Sequence, residues 1–257
     1  MKIAIKQSLA GLRNRKSILF LLLFCTAVFL FSAVFFLFNR NPQSAARALI
    51  FLFLLLLIPP IERMLRMEIP TLCYALLLYL LFGSFLGSCF DFYFRISFWD
   101  TLLHGLSGML FACIGYAICK LLFSIEENAN ALPCIFVGIT FSLSIALLWE
   151  LFEAGATYLF AVDMQEDTLL TSFKSFYLSG THGHVTHVEK IHKTVIFFEN
   201  GESLHLSGYL DLGLADTLGD MAVCFLGNLF FLLLFPLDAL FRGKILSALL
   251  PKILKKT

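Results

Sequence analysis

The chain of 257 residues is 59% hydrophobic and only 14% charged, where an ordinary soluble domain carries about 25% charged residues. Thirty phenylalanines push the same way, so the chain reads as an integral membrane protein. A net charge of +1 removes the bulk electrostatic case for a nucleic-acid partner, and seven cysteines without a CxxC spacing read as buried thiols rather than a disulfide or zinc framework.

At the N-terminus, Lys2, Lys6, Arg13, Arg15 and Lys16 precede an apolar run from Ser17 to Phe38. Its 22 residues exceed the about 7–15 of a signal-peptide core, and a retained transmembrane helix is expected. A hydrocarbon core of ~30 Å needs about 20 helical residues. Six segments qualify as spans: 17–38, 46–61, 70–90, 100–121, 132–155 and 217–237, the second the weakest because Pro59-Pro60 cuts it short. Pro70 and Pro133 sit near segment starts, where proline is tolerated. The polar stretch 163–215 is the one sizeable insertion, and within it Lys193–Leu206 alternates as a β-hairpin around an Asn200-Gly201 turn. Residues 239–257 alternate leucines and isoleucines with lysines, as an interfacial segment would. The expected fold class is an all-α membrane protein, a six-helix transmembrane bundle forming a single domain with a small extracytoplasmic β-hairpin insertion.

Lys and Arg placement sets the orientation. With the N-terminus inside, 13 basic residues fall on the inner side and 6 on the outer (Arg40, Arg47, Arg95, Lys174, Lys190 and Lys193). Both termini are therefore expected in the cytoplasm, with loop 163–215 outside a cell membrane.

Three acidic motifs mark the same end of three of these segments: Asp100-Thr-Leu-Leu-His104, Trp149-Glu150-Leu-Phe-Glu153 and Asp216-Thr-Leu-Gly-Asp220. Each pair is three or four residues apart and shares a helix face. Glu150 lies 17 residues beyond Pro133, roughly 26 Å along a helix, which puts it near the outer edge of the bilayer core. Asp100, Glu150, Glu153, Asp216 and Asp220 carry five negative charges when ionised, and close carboxylates raise one another's pKa values. A bound cation, shared protons or separate solvation would resolve this. Oxygen ligands suit Mg²⁺, Ca²⁺ or Mn²⁺, and the imidazole of His104 adds Mn²⁺, Fe or Zn²⁺.

Simpler roles compete. Asp100 and Asp216 open their segments and suit N-caps, and Glu150 and Glu153 beside Trp149 suit a water-exposed belt at the interface. His104 and Asp220, one turn inside, are costlier to place without a function. In the insertion, His182, His184 and His187 form a His-rich run of a kind that can bind metal but is more often solvated surface. Gly105, Gly108, Ala112 and Gly115 in the fourth segment, and Gly219 and Gly227 in the sixth, offer small-residue strips for close helix packing. That packing would bring His104 towards Asp220.

The motif set Asp100 and His104; Trp149, Glu150 and Glu153; Asp163 to Thr168; and Gly208 to Asp220 resembles that of the YjdF-like bacterial multi-pass membrane proteins. The resemblance spans roughly residues 45–237 and implies membrane placement and the motif residues; the family has no assigned biochemical function. A more distant likeness is to VanZ-like membrane proteins, which are associated with cell-envelope antibiotic resistance.

The expected function is an outward-facing acidic/His site that binds a divalent metal ion and acts on, or binds, an envelope lipid. His104, Glu150, Glu153, Asp216 and Asp220 would serve as candidate ligands and Asp100 as an orienting partner or a further ligand, with no catalytic role assigned. A proton- or cation-coupled transporter is the first alternative, weakened by the lack of ionisable residues in the inner halves of the last three segments. A non-catalytic membrane scaffold is the second.

Overall fold

The computed structural model describes residues 15–123, 125 and 130–254. Lys2, Lys6, Arg13, Lys255 and Lys256 of the basic-residue count lie outside them. Six helices are long and apolar enough to cross a membrane: α1 (Lys16–Phe38), α2 (Pro42–Met64), α3 (Thr71–Phe90), α5 (Trp99–Leu122), α6 (Leu132–Phe160) and α7 (Leu214–Leu240). Two shorter helices, α4 (Phe92–Arg95) and α8 (Lys244–Leu249), join them. The strands are short antiparallel pairs: β1 (Met67–Glu68) with β8 (Lys252–Ile253), β2 (Asp167–Leu170) with β7 (Tyr209–Leu212), β3 (Phe173–Ser175) with β4 (Thr186–Val188), and β5 (Thr194–Phe197) with β6 (Ser203–Leu206). The β5–β6 pair is the hairpin expected around Asn200-Gly201, with Gly201 at φ 88°, a value that glycine adopts without strain. The other two pairs of the insertion were not foreseen.

Helix α2 is longer than its hydropathy suggested. It starts at Pro42 because the Asn41 side chain accepts the Ser44 N–H at 3.1 Å and proline suits the first turn. It also continues through Pro59 and Pro60 to Met64, since an apolar membrane helix tolerates the missing N–H groups. Among the described residues beyond α7, the C-terminal basic segment is helical over Lys244–Leu249. Asp238 Oδ1 accepts the N–H groups of Ile245 and Leu246 at 2.8 and 2.9 Å, fixing the start of α8. Pro251 then ends the helix, and residues 252–253 pair with β1.

The chain forms two compact units, one of residues 1–146 and 220–257 and the other of residues 147–219. The first has two apolar clusters. One joins α1, α2 and α3 around Phe29 and Phe85, whose ring centroids are 4.6 Å apart. The other joins α5, α6 and α7 around Leu110, Cys113, Cys134 and Phe231, with Leu249 from α8. All seven cysteines are free and buried, as their apolar surroundings implied.

An unforeseen ion pair fastens one end of this unit. Arg15 Nη1 meets Glu62 Oε1 at 2.7 Å, and the same oxygen accepts the Ile69 N–H at 2.7 Å. Arg15 also donates to the Ile69 carbonyl and lies 5.5 Å from the Tyr74 ring centroid. Three helix ends, those of α1, α2 and α3, thus converge on one guanidinium. Removing one partner of a buried pair leaves an uncompensated charge and costs about 3–5 kcal/mol, whereas replacing both is much milder. Arg15→Leu and Glu62→Leu are each expected to lower the unfolding midpoint of the detergent-solubilised chain more than the double substitution does. A double mutant with the summed loss would show that the two groups do not depend on each other.

Candidate metal centre

Helix α5 begins at Trp99, whose indole N–H donates to the Gly83 carbonyl at 3.1 Å and anchors the helix start against α3. Asp100 falls in the first turn, where a negative charge faces the positive end of the helix dipole. The N-cap is Phe98, without a side-chain cap bond, so Asp100 is not the cap its position suggested. His104 follows one turn later on the same face.

The partner surface comes from α7, where Asp220, Cys224 and Asn228 recur every four residues as a buried stripe. What holds α5 against α7 is the absence of Cβ atoms. A methyl group at Gly108 would run into the Cys224 carbonyl, and one at Gly227 would run into the Gly105 carbonyl and come 3.0 Å from the Met109 nitrogen. The small-residue strips at Gly105, Gly108 and Gly227 therefore do what their spacing implied, whereas Gly219 has nothing within 4 Å of an added Cβ. Gly115 makes a second close approach, to Gly138 and Phe141 of α6. Ser142 Oγ donates to the Gly108 carbonyl at 2.8 Å and links α6 to the same seam.

This packing brings His104 Nε2 to 3.5 Å from Asp100 Oδ1 and 3.9 Å from Asp220 Oδ2. Ligand atoms of the three residues all lie within 4.8 Å of one another, the one His/Cys/Asp/Glu group of this kind among the described residues. Asp220 and His104 are almost fully buried and Asp100 is partly open. Both distances exceed the about 2.7–2.9 Å of a charge-assisted hydrogen bond. They approach the spacing of ligands that share one ion at metal–ligand bonds of ~2.0–2.2 Å. Two carboxylates and one imidazole give two negative charges when the ring is neutral, which one divalent cation balances.

The remaining candidates belong to the second unit. Glu150 and Glu153 are both buried, and Glu153 Oε1 accepts the Trp149 indole N–H at 2.7 Å. This differs from the water-exposed belt considered for them: Trp149 is the exposed member of the motif and the carboxylates turn inward. Asp216 Oδ2 accepts the Glu166 N–H at 3.1 Å. The start of α7 is held instead by Asp211, whose Oδ2 accepts the Ala215 N–H at 2.7 Å. Gln165 Nε2 donates to Thr217 Oγ1 at 2.9 Å, and its side chain packs over Gly213 at φ 82°. The residues from Asp163 to Thr168 and from Gly208 onward are thus a pairing device: β2 and β7 run antiparallel from Asp167 opposite Leu212 to Leu170 opposite Tyr209. His182, His184 and His187 are exposed, with His187 opposite Lys174 in the β3–β4 pair.

Sequence reasoning placed Asp211 and Gln165 within motifs without giving either a role, and missed Ser142. Asp211, a turn-favouring acid three residues before a helix start, carried a legible capping signal; the long-range bonds of Gln165 and Ser142 carried none.

A set of six membrane-length helices with an acidic/His cluster near helix ends defines a multi-pass helical membrane protein. The chain belongs to the family described as Predicted membrane protein (DUF2238), whose family model matches residues 18–237. No match was found among curated proteins or solved structures.

Because α5 and α7 approach through glycine, Gly227→Ala should push them apart at the level of the cluster. Overpacking of this kind costs about 1–3 kcal/mol. The expected result is a lower unfolding midpoint, while Gly219→Ala, in open space, leaves it unchanged or slightly raised. Equal effects at the two positions would show that the close approach is not what stabilises the pair.

Proposed function

We propose that Asp100, His104 and Asp220 bind a divalent cation, and that the ion binds or acts on the head group of an envelope lipid. The observation that carries the proposal is the convergence of ligand atoms from Asp100, His104 and Asp220 within 4.8 Å of one another, on two helices held together by glycine contacts. The mixed nitrogen–oxygen donor set favours Mn²⁺, Fe²⁺ or Zn²⁺ over Mg²⁺ or Ca²⁺. Three protein ligands leave coordination positions for water or a phosphate oxygen, the arrangement of reactive rather than structural metal sites. His104 would bind as the neutral ring through Nε2.

The Lys and Arg distribution supports cytoplasmic termini, which would put the cluster at the extracytoplasmic edge of the bilayer. Lipid head groups meet protein at that depth. The likeness to YjdF-like and, more distantly, VanZ-like membrane proteins agrees with an envelope setting and names no reaction. Glu150 and Glu153 stay candidates on their own account, as buried carboxylates of the second unit.

Transport keeps one supporting observation. Below Asp220 the same face of α7 carries Cys224 and Asn228, both fully buried, so polar groups continue roughly 12 Å further along the helix. Cation flux in proteoliposomes that is lost in Asn228→Leu would favour that reading.

Titration of the purified chain with Mn²⁺, followed by electron paramagnetic resonance, tests the cation site. Removing a ligand should weaken binding by at least ~10–100-fold, the range typical of losing even an outer partner. Asp220→Asn and His104→Gln are both expected to show that loss, with Zn²⁺ competing for the same site in the unsubstituted chain. Unchanged Mn²⁺ affinity in both variants would remove the metal reading. Native mass spectrometry of the chain extracted with and without chelator then tests the lipid step, with lipid adducts retained only alongside the metal.

A further inference from the structure

Between residues 166 and 219 only Gly208 and Gly213 are buried, and neither has a side chain. The insertion therefore has no apolar core of its own. It still carries large apolar side chains, among them Leu169, Phe197, Phe198 and Tyr209, all substantially exposed. Three more are consecutive in a single turn after β3: Phe176 is 67% exposed, Tyr177 92% and Leu178 54%. Isolated two-stranded pairs are at best marginally stable in water. A segment built this way gains from having its apolar turn covered by something outside itself.

We propose that the Phe176–Leu178 turn docks into the surface of the bilayer that the helices of the same chain span. Four observations select a lipid surface over a protein partner. The first is composition: from Ser175 to Val188 there is no Asp, Glu, Lys or Arg, so no fixed charge resists entry into the interface. The second is residue type, since exposed aromatic and leucine side chains are those that partition into the boundary between head groups and acyl chains. The third is tethering. The insertion leaves α6 at Phe160 and enters α7 at Leu214, both membrane-length helices, so contact with the same bilayer is intramolecular. It does not bear the translational cost of an association between molecules, and a few side chains suffice. The fourth is size: a turn of three residues cannot bury the about 1,000 Å² that a specific protein interface needs.

The turn also has relief. Phe176, Tyr177, Gly180, Thr181, His182 and Gly183 line an open concavity of about 510 Å³. Head-group atoms can settle there beside the rings while Thr181 and His182 offer hydrogen bonds. By contrast, the β5–β6 turn carries Glu199 and Glu202 around Asn200-Gly201 and is expected to stay in water.

Site-directed spin labelling of the full chain tests the proposal. The seven native cysteines are buried, so a polar nitroxide reagent addresses an introduced thiol, with the unsubstituted chain as the labelling blank. Tyr177→Cys, Phe176→Cys and the control Asn200→Cys are reconstituted into phosphatidylethanolamine–phosphatidylglycerol vesicles at high lipid dilution. Collision with oxygen, which concentrates in lipid, is compared with collision with a water-soluble nickel chelate. Labels at 176 and 177 are expected to show a severalfold higher oxygen-to-nickel ratio than the label at 200. An aqueous ratio at both test positions overturns the proposal. Dipolar broadening at 177 that persists on lipid dilution would place a second copy of the chain on the turn and overturn it equally.

Discussion

The close approach of α5 to α7 is the constraint on which the candidate site depends. In a bilayer, helices gain little from hiding apolar side chains from one another, because lipid tails are equally apolar. Attraction comes from close packing and interhelical hydrogen bonds, and the closest backbone approach requires bare Cα positions. Gly105, Gly108 and Gly227 supply them, and Cys224 and Gly105 present their carbonyls to the surfaces so exposed. A consequence is positional. Once Gly108 is set against Cys224, the residues one turn nearer the helix starts, His104 and Asp220, face each other. The site is therefore the end of a packing seam set by the glycine contacts.

Charge explains why that seam ends in such an arrangement. Two ionised carboxylates beside one imidazole carry two negative charges, of which a ring proton offsets one and a divalent cation would offset both. His104 Nε2 lies 3.5 Å from Asp100 Oδ1 and 3.9 Å from Asp220 Oδ2. Asp100 is the least buried of the three and lies at the helix start, so the cluster opens to one side. That opening is what a site needs if the ion is to meet something besides the protein.

Hydropathy made the six spans legible, because a bilayer imposes a minimum length that few other environments do. The pairing of Asp100 with His104 was legible too, from helical spacing alone. The contact with Asp220 was readable only through the glycine strips, which gave the direction of approach without the register. Other features left no trace in periodicity. The Arg15–Glu62 pair joins residues 47 apart, and its one sequence signal was an acid at the end of an apolar segment. The ends of α2 and α7 were misjudged because local capping, by Asn41 and Asp211, extends a helix beyond the apolar run that hydropathy detects. Asp216 illustrates the same limit. Its spacing to Asp220 matched that of Asp100 to His104, yet its carboxylate accepts the Glu166 N–H, a contact across 50 residues that helical spacing cannot reveal.

That last contact separates two kinds of work in the acidic motifs. The neck of the insertion must return the chain from β7 into α7 while β2 leaves antiparallel beside it. Turning a backbone so sharply exposes N–H groups that have no strand or helix partner. Asp211 and Asp216 each accept one of these, from Ala215 and Glu166, and Gln165 braces Thr217 over the left-handed Gly213. Asp211 and Asp216 therefore each have a backbone partner at the neck. Asp220 is different. It lies beyond the first turn of α7, where the helix supplies its own backbone bonds, and its carboxylate faces His104 instead. A motif that reads as one run of acidic residues thus divides at the first turn of α7. Its first part builds the loop, and its last residue joins the cluster.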